Sequence, residues 1–537
     1  MKRNDVSGTE YDGEGMTDQN GGQGTDQCAA SGAPAGNGGA EAYDASVKRK
    51  VASGTAWLFL EKAGLSVFEF AVAWVLARFF LTPNDYALVG ICAIFIAFAN
   101  LFSQGSFNLA LIQKKELKEK DPHTVFWMSL GVSAAFYVIF FFAAPAISSL
   151  YNKAELINII RILGLSMIFD SFATVQTALL TREMRFKKIF VKTFIAAAVS
   201  GAAGITCAAM GLGVYALVVQ AVVLSFTGAL VLFIITPWKP SFKFSAASVR
   251  EMGSFGVSMF TSNVVNNAYT NALPLLMEKV YAGDTLGYYN KAKTIPTKIG
   301  EAINSTISGI AFPSLSAYQS EPQKAKALLR KFISVSSFVM FAAMAGLFAV
   351  SEPLTLFIYT DKWAGSIVFM RFVCVTCAFL PVNSANLQAI KAFGKGETYL
   401  VLELIKNALG VAMIAGGMIL TRGYGWSLYA MLGIQIVVSL VCVFINTVPN
   451  KKLIGYTIKE MLSDIMPQFI LAIVMCAAAY SVTFIGLSSW LTLLIQIPLG
   501  IAVYFGGAML FRMKSMKSLV EFAGSLIKKR RNAKKPG

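Results

Sequence analysis

Apolar stretches about as long as a bilayer is thick recur along most of the chain, with short polar connections between them. From residue 51 onward we count fourteen such stretches, and about 20 apolar residues suffice to cross the hydrocarbon core as an α-helix. The stretches lie at about 54–79, 86–108, 124–147, 156–179, 190–210, 213–235, 252–277, 290–315, 332–350, 366–390, 398–420, 425–447, 463–486 and 489–511. This pattern predicts an all-α polytopic membrane protein with about fourteen transmembrane helices.

Lys and Arg residues are concentrated in alternate connections between these stretches. One set of connections holds 24 Lys and Arg residues before the C-terminal tail is added, whereas the other set and its helix ends hold 5. Connections rich in Lys and Arg remain in the cytoplasm, and an even number of spans returns the chain to the side where it began. The sequence therefore predicts a multi-pass protein of a bacterial cytoplasmic (inner) membrane, with both termini cytoplasmic.

The composition agrees with this class and narrows the partners. Only 14% of the residues are charged and the mean hydropathy is +0.60, whereas soluble globular proteins carry about 25% charged residues. The net charge of +18 is spread over short connections and the C-terminal tail. A basic excess distributed in this way indicates membrane topology and contact with membrane lipid, and we expect no nucleic-acid partner.

The chain offers little material for catalysis or metal binding. His123 is the only histidine, and Cys374 and Cys377 have CxxC spacing inside an apolar stretch without a second pair. The sequence contains no Walker loop and no extramembrane segment large enough for a nucleotide-sugar-binding domain. We therefore expect a protein that is not an enzyme, with no catalytic residues, no metal site and no cofactor.

The two halves of the chain are related by an internal repeat. Six residues of the first half recur in the second at an offset that drifts from 208 to 212: Pro145 with Pro353, Tyr151 with Tyr359, Lys153 with Lys362, Arg161 with Arg371, Gln176 with Gln388 and Gly213 with Gly425. Each half has six predicted spans, an even number, so both enter the membrane from the same side and form a parallel repeat. This arrangement predicts two six-helix lobes around a central cleft, plus two extra C-terminal helices.

The predicted organisation has five parts. They are a disordered cytoplasmic tail at 1–46, an N-terminal six-helix lobe at 47–245, a C-terminal six-helix lobe at 246–450, two additional transmembrane helices at 451–512 and a basic cytoplasmic tail at 513–537. The first part is rich in Gly, Ser, Asp, Gln and Asn and has hardly any large apolar residue, so it cannot form a core.

Three predicted spans carry polar side chains along one helical face. In the eighth span these are Lys291, Thr294, Lys298, Glu301, Ser305 and Ser308, in the first span Lys62, Ser66 and Glu69, and in the seventh span Asn263, Asn266, Asn267, Thr270 and Asn271. An ionisable group at membrane depth costs about 2.5–3.5 kcal/mol on insertion scales. Such faces therefore point at a partner helix or a water-filled cavity.

The eighth span predicts an anion site, because its lysines outnumber its acid. Lys291, Lys293 and Lys298 stand against Glu301 alone, and Lys binds phosphate well as a point charge. A purely structural interpretation stays open, in which Lys298 pairs with Glu301 and a similar pair in the first span, Lys62 with Glu69, holds helices together.

Four segments carry motifs seen together in one transporter family. They are Ala110-Leu-Ile-Gln-Lys114, Thr181-Arg-Glu-Met-Arg-Phe-Lys-Lys188, Leu286-Gly-Tyr-Tyr-Asn-Lys-Ala292 followed by Pro296, and Phe312-Pro-Ser-Leu-Ser316. Together they resemble the polysaccharide transporter branch of the multidrug/oligosaccharidyl-lipid/polysaccharide flippase superfamily, particularly the WzxC-like exporters of lipopolysaccharide and exopolysaccharide. The resemblance runs from about residue 50 to residue 512, and the glycine-rich N-terminal tail departs from the family pattern.

The resemblance implies a function by alternating access. The implied cargo is an undecaprenyl-pyrophosphate-linked oligosaccharide, moved from the inner to the outer leaflet for capsule, exopolysaccharide or O-antigen-type biosynthesis. The residues expected to hold its pyrophosphate and sugars are Lys62, Asn263, Asn267, Lys291, Lys293 and Lys298. A coupling cation, H⁺ or Na⁺, would bind Glu69, Asp170 or Glu301. Polymerase and glycosyltransferase partners follow from the same resemblance.

Three other functions remain open on the sequence. A cation-coupled small-molecule or multidrug antiporter of the same fold predicts a cavity lined by acids. A flippase for a cell-wall lipid precursor shares the chemistry described above. A membrane enzyme that polymerises or ligates lipid-linked sugars predicts a sizeable outer loop, and every predicted outer connection is short.

Overall fold

In the computed structural model of this chain, the regular secondary structure of the described residues is entirely helical. The described residues are 64–100, 111, 117–183, 185–246, 249, 271, 274–281, 284–421 and 427–518. The predicted tail at 1–46, the start of the first span, most of the seventh span and the end of the C-terminal tail lie outside these residues.

The helices are numbered in chain order. They are α1 (64–80, ending in a π turn at Leu76–Phe80), α2 (Pro83–Asn100), α3 (Lys120–Tyr151), α4 (Leu156–Arg182), α5 (Phe186–Ala209), α6 (Tyr215–Ile235), α7 (274–281), α8 (Thr285–Ser316), α9 (Pro322–Ala349), α10 (Ser351–Tyr359), α11 (Ser366–Ala378), α12 (Leu380–Ala392), α13 (Gly396–Thr421), α14 (Ser427–Ile454), α15 (Ile458–Ser481) and α16 (Ser489–Leu510).

Ten helical segments of the described chain are long and apolar enough to cross a membrane. They are α3 to α6, α9, α11 together with α12, and α13 to α16, and they coincide with ten of the predicted spans. The helix α8 is 32 residues long and contains four charged residues. It is long enough to cross a membrane but too polar to be counted among these ten segments. The prediction of an all-α polytopic membrane protein is confirmed, and the count of fourteen spans stays a prediction.

The internal repeat is visible in the backbone. In the first half α3 ends at Tyr151, and the next residue, Asn152, has a φ of 54°. In the second half α10 ends at Tyr359, and Thr360 has a φ of 72°. A positive φ is uncommon for a residue other than glycine, so each half has a constrained turn at the equivalent position, with a ψ of 40° at Asn152 and of 175° at Thr360.

The two arginines of the repeat also make equivalent contacts. Arg161 donates from Nε to the Phe141 carbonyl, and Arg371 donates from Nε to Ser351 Oγ, each to a residue 20 positions earlier. Arg371 also forms an ion pair with Glu352 at 3.0 Å. In both halves the arginine therefore ties one helix to the helix before it.

The second half departs from the predicted helix pattern at two points. A separate short helix, α10, follows α9, whereas α3 continues through Pro145 without a break. The predicted span at 366–390 is two helices that meet at Phe379. Pro381 lies in the first turn of α12, and it has no N–H with which to continue the hydrogen bonding of α11.

The two extra C-terminal helices pack against α9. Arg330 on α9 bonds both carboxylate oxygens of Asp464 on α15, with the shortest contact at 2.7 Å. The hydroxyl of Tyr504 on α16 donates to the Phe338 carbonyl of α9 at 2.8 Å. Both helices are therefore joined to the second half of the bundle.

The turns that connect the helices lie at two ends of the bundle. The turns at 81–82, 152–155, 210–214 and 360–365 lie at the distal end, and the Lys-rich connections lie at the basic end.

Candidate functional site

A cavity of about 650 Å³ lies between the two halves of the bundle. Its walls come from α1, α2, α5 and α6 of the first half and from α7 and α8 of the second. Most lining side chains are apolar, and the polar ones are Glu69, Tyr86, Ser200, Gln220, Asn271, Asn290 and Lys293. A mostly apolar cavity with a few polar groups is the usual form of a ligand site.

A second cavity of about 210 Å³ adjoins the first. The two share Glu69, Ala73, Tyr86 and Asn290, and the smaller one adds Phe70, Lys291, Thr294, Lys298 and Tyr359. The part of the polar face of α8 from Lys291 to Lys298 therefore lies along two neighbouring cavities between the halves. Among the described residues that line the two cavities, Glu69 is the only acid, so the three lysines give this part of the site a cationic excess.

Lys298 is paired across the two halves. Its Nζ lies 2.8 Å from Oε2 of Glu69 on α1, and the two side chains are 45% and 48% exposed. Lys298 does not form the expected pair with Glu301, which is exposed further along α8. Lys62 lies outside the described residues, so its pairing with Glu69 stays a prediction. A half-exposed pair contributes only about 0–1 kcal/mol, so another anion can compete for Lys298.

Lys293 reaches the larger cavity without an acidic partner. Its Nζ lies 5.4 Å from the ring centre of Tyr289, and within the described chain it forms no ion pair. A cation removed from water needs a compensating partner. Lys293 is therefore the clearest position for an anionic ligand in this site.

Lys291 has a different environment from the other two lysines. Its side chain is 6% exposed, and its Nζ donates to the Ala73 carbonyl of α1 at 3.1 Å. The Nζ also lies 4.7 Å, 4.6 Å and 5.6 Å from the ring centres of Tyr86, Tyr359 and Trp363. Three aromatic faces and a carbonyl stabilise the ammonium without an anion, and they attach α8 to α1.

The end of α1 is hydrogen-bonded to the end of α10. Trp74 donates from Nε1 to the Ile358 carbonyl at 2.8 Å, and Arg78 donates to the carbonyls of Ile358 and Phe357. These acceptors belong to the last turn of α10, whose carbonyls have no partner within the helix. The contacts connect the two halves at the distal end.

A buried ion pair connects the halves beside these contacts. Lys153, in the turn between α3 and α4, lies 2.6 Å from Oε1 of Glu278 on α7, whose side chain is 1% exposed. Lys153 also donates to Asn84 Oδ1 at 3.3 Å. We refer to the contacts of Trp74, Arg78 and Lys153 together as the distal closure.

The helices α2 and α8 also cross closely at the distal end. A β-carbon at Gly287 would collide with the backbone of Pro83, and one at Gly90 would collide with the Asn290 side chain. Small residues at a crossing allow two helices to approach closely. The halves are therefore held together here by packing as well as by polar contacts.

The structure brings together only part of the predicted site. Lys291, Lys293, Lys298 and Glu69 line the two cavities, whereas Lys62, Asn263 and Asn267 lie outside the described residues. Asp170 on α4 and Glu301 on α8 line neither cavity. The binding and coupling roles of all these residues stay predictions.

Most of the distal closure and four polar residues of the larger cavity were not predicted from the sequence. The four are Tyr86, Ser200, Gln220 and Asn290, and Asn290 could have been found from its place beside Lys291 on α8. Lys153 and Glu278 are charges of opposite sign beside apolar stretches, but the sequence alone does not show that they meet.

Known proteins share the fold of this chain. The chain is similar to the lipid II flippase MurJ in its inward closed conformation, with a TM-score of 0.67 and 16% identity over 84% of this chain and 98% of that one. It is also 23% identical to the succinoglycan biosynthesis transport protein ExoT of Rhizobium meliloti, over 69% of this chain and 75% of that protein. The lipopolysaccharide biosynthesis protein WzxC of Escherichia coli is 22% identical over 81% of this chain and 88% of its own length. Residues 75–368, more than half of the chain, match the family described as polysaccharide biosynthesis protein, and the chain belongs to that family.

Proposed function

We propose that this protein is a flippase that moves an undecaprenyl-pyrophosphate-linked oligosaccharide from the inner to the outer leaflet of a bacterial cytoplasmic membrane. The observation that carries the proposal is the cationic cavity between the halves, where Lys293 has no acidic partner within the described chain and Lys298 shares the single acid Glu69. The names of the relatives, which include a succinoglycan biosynthesis transport protein, support this class of cargo.

The lining residues divide by chemistry in a way that fits such a cargo. Lys293 and Lys298 bind the pyrophosphate as charge-assisted hydrogen-bond donors. Gln220, Asn271 and Asn290 have amide groups that can bond sugar hydroxyls. The lipid tail stays in the bilayer, so the cavity of about 650 Å³ needs to hold only the head of the molecule.

The distal closure fits one state of an alternating-access cycle. The predicted topology places the distal end outside the cell and the basic end in the cytoplasm. With the distal end closed, the site would load from the cytoplasmic leaflet, and release would require the contacts of Trp74, Arg78 and Lys153 to break. The exported glycan serves capsule, exopolysaccharide or O-antigen-type biosynthesis, with polymerase and glycosyltransferase partners.

A coupling ion would act through Glu69. Among the three predicted acids, Glu69 is the one that lines the cavities. Binding of H⁺ or Na⁺ to its carboxylate would release Lys298 for the pyrophosphate, which links ion and substrate at one point. Asp170 and Glu301 remain alternative positions for the ion.

Two other functions are compatible with the same fold. A multidrug antiporter needs acids to bind cationic drugs, and the one acid among the described lining residues, Glu69, is already paired with Lys298. A flippase for a cell-wall lipid precursor would use the same lysines for the same pyrophosphate, so the sugar contacts distinguish it from the proposed function.

A binding experiment separates the first alternative from the proposal. The protein in nanodiscs is titrated with undecaprenyl pyrophosphate and, separately, with a cationic dye. We expect binding of the pyrophosphate that Lys293→Ala weakens and that Lys324→Ala, a change at an exposed surface lysine, leaves unchanged. Dye binding that depends on Glu69, without pyrophosphate binding, would favour the antiporter and overturn the proposal.

A further inference from the structure

The segment at 236–245 is an ordered connection that begins where the apolar helix α6 ends. Thr236 follows Ile235 with extended backbone angles, and Pro237 and Pro240 prevent the segment from continuing as a helix. The helix α6 is a membrane span by length and composition. A residue a few positions beyond its end therefore lies close to the surface of the membrane at the basic end.

Hydrogen bonds hold this segment against the start of α3. Trp127 donates from Nε1 to the Ser241 carbonyl at 2.9 Å, and the Ser241 N–H donates to His123 Nδ1 at 3.1 Å. The Ser245 N–H donates to Thr124 Oγ1 at 3.1 Å. The backbone of the segment is therefore fixed in position before any partner binds.

Two phenylalanines on this fixed backbone point away from the protein. The side chain of Phe242 is 91% exposed and that of Phe244 is 58% exposed. Phe242 stacks on Trp127 with ring centres 4.6 Å apart, which holds its ring in one orientation. Segments that lie in the membrane–water interface insert Trp, Phe and Leu side chains at the boundary of headgroups and acyl chains and carry Lys and Arg on their polar side.

The connections at this end of the bundle carry a surplus of cations. The parts of the chain at 117–123, 183–188 and 236–245 hold seven Lys and Arg residues against three acids. Lys243 pairs with Glu119, and this hydrogen bond lowers the pKa of the Glu119 carboxyl, so the pair is ionised and neutral overall. Basic residues at a membrane surface each gain about 1 kcal/mol from anionic lipid, so the surplus favours a negatively charged leaflet.

We propose that the 236–245 segment is an interfacial anchor that inserts Phe242 and Phe244 among the headgroups of the leaflet at the basic end and selects anionic lipid. It lies on the connection between the two halves of the chain. The anchor therefore fixes the depth of the first half at the point where the chain leaves it for the second. This inference does not depend on the identity of the transported molecule.

The depth of a spin label tests the anchor directly. The protein, with its seven native cysteines replaced, carries Phe242→Cys or Phe244→Cys labelled with a nitroxide, in nanodiscs of phosphatidylcholine with or without phosphatidylglycerol. The matched control is Ser320→Cys. Ser320 is exposed at the same end of the bundle, and Tyr318 is the exposed aromatic residue near it in sequence. Label accessibility to oxygen and to a water-soluble nickel complex reports the depth.

The anchor predicts that oxygen relaxes the labels at 242 and 244 several-fold more than nickel does, with the reverse at 320. Phosphatidylglycerol is expected to shift the two labels further toward the lipid. Labels at 242 and 244 that behave like the label at 320 would overturn the anchor and leave the rings for a protein partner. Lipid burial that does not respond to phosphatidylglycerol would overturn the selection of anionic lipid.

Discussion

Lys298 on α8 and Glu69 on α1 form an ion pair of 2.8 Å that joins the two halves of the bundle across 229 positions of sequence. Both side chains remain nearly half exposed to the cavities. The pair therefore holds Lys298 in place but is weak enough for another anion to replace Glu69. A lysine that binds an anionic substrate would need both properties.

Replacing Glu69 with Gln is expected to release Lys298 for an anionic ligand. Because a half-exposed pair is worth about 0–1 kcal/mol, binding of undecaprenyl pyrophosphate should tighten by up to about fivefold. Titration of the wild type and of Glu69→Gln in nanodiscs measures the change. Weaker binding in the variant would show that Glu69 itself contacts the ligand.

The lysines at 293 and 291 are expected to differ in their effect on binding. Charge-assisted hydrogen bonds contribute about 1.5–3 kcal/mol, so Lys293→Ala should weaken pyrophosphate binding roughly 10- to 100-fold. Lys291→Ala should leave binding near the wild-type level, because Ala73 and the aromatic rings already satisfy Lys291. Equal losses in the two variants, measured by the same titration, would contradict this division.

The buried pair of Lys153 and Glu278 is expected to be costly to break from one side. Lys153→Ala leaves a buried carboxylate without its cation, at a cost of about 3–5 kcal/mol. The double variant Lys153→Met with Glu278→Leu removes both charges and should be the more stable of the two. Thermal unfolding midpoints measure this order.

A matched control for this prediction is the exposed pair of Lys324 and Glu321. Lys324→Ala should change the stability by no more than about 1 kcal/mol. A Lys153→Ala variant as stable as Lys324→Ala would mean that Glu278 reaches water.

Joining α1 to α10 is expected to stop transport. A reducible bifunctional reagent that links Arg78→Cys to Phe357→Cys in a protein without other cysteines would keep the distal closure shut, and a reductant should restore activity. The control pair, Ser334→Cys with Ser515→Cys, links two positions of the second half whose hydroxyls lie 2.6 Å apart. Transport that survives the first link would exclude this closure from the cycle.

The sequence predicted the helices well because membrane spans are set by length and hydropathy, which are local properties. It also predicted the repeat, because the two halves carry the same residue types at nearly the same spacing. Tyr151 corresponds to Tyr359, and Arg161 corresponds to Arg371. The break between α11 and α12 was missed, because Phe379 lies inside an apolar run and hydropathy does not register the effect of Pro381.

The site was predicted less completely, because pairing across the bundle depends on three-dimensional position. The polar face of α8 was readable from spacing alone. The partner of Lys298 was not, because Glu69 is 229 positions away and a charge within the same span seemed nearer. The separate role of Lys291 depends on Tyr86, Tyr359 and Trp363, which come from three other parts of the chain.

We propose that this protein moves a lipid-linked oligosaccharide from the inner to the outer leaflet by means of its cationic cavity. The direct measurement is the sidedness of that lipid in cells depleted of the protein, with the wild type, the Lys293→Ala and Lys298→Ala double variant, or Lys324→Ala added back at equal membrane levels. We expect the lipid-linked oligosaccharide to accumulate on the cytoplasmic leaflet of the depleted cells. The wild type and Lys324→Ala should relieve this accumulation, and the double variant should not. Normal sidedness in depleted cells, or full relief by the double variant, would contradict this proposal.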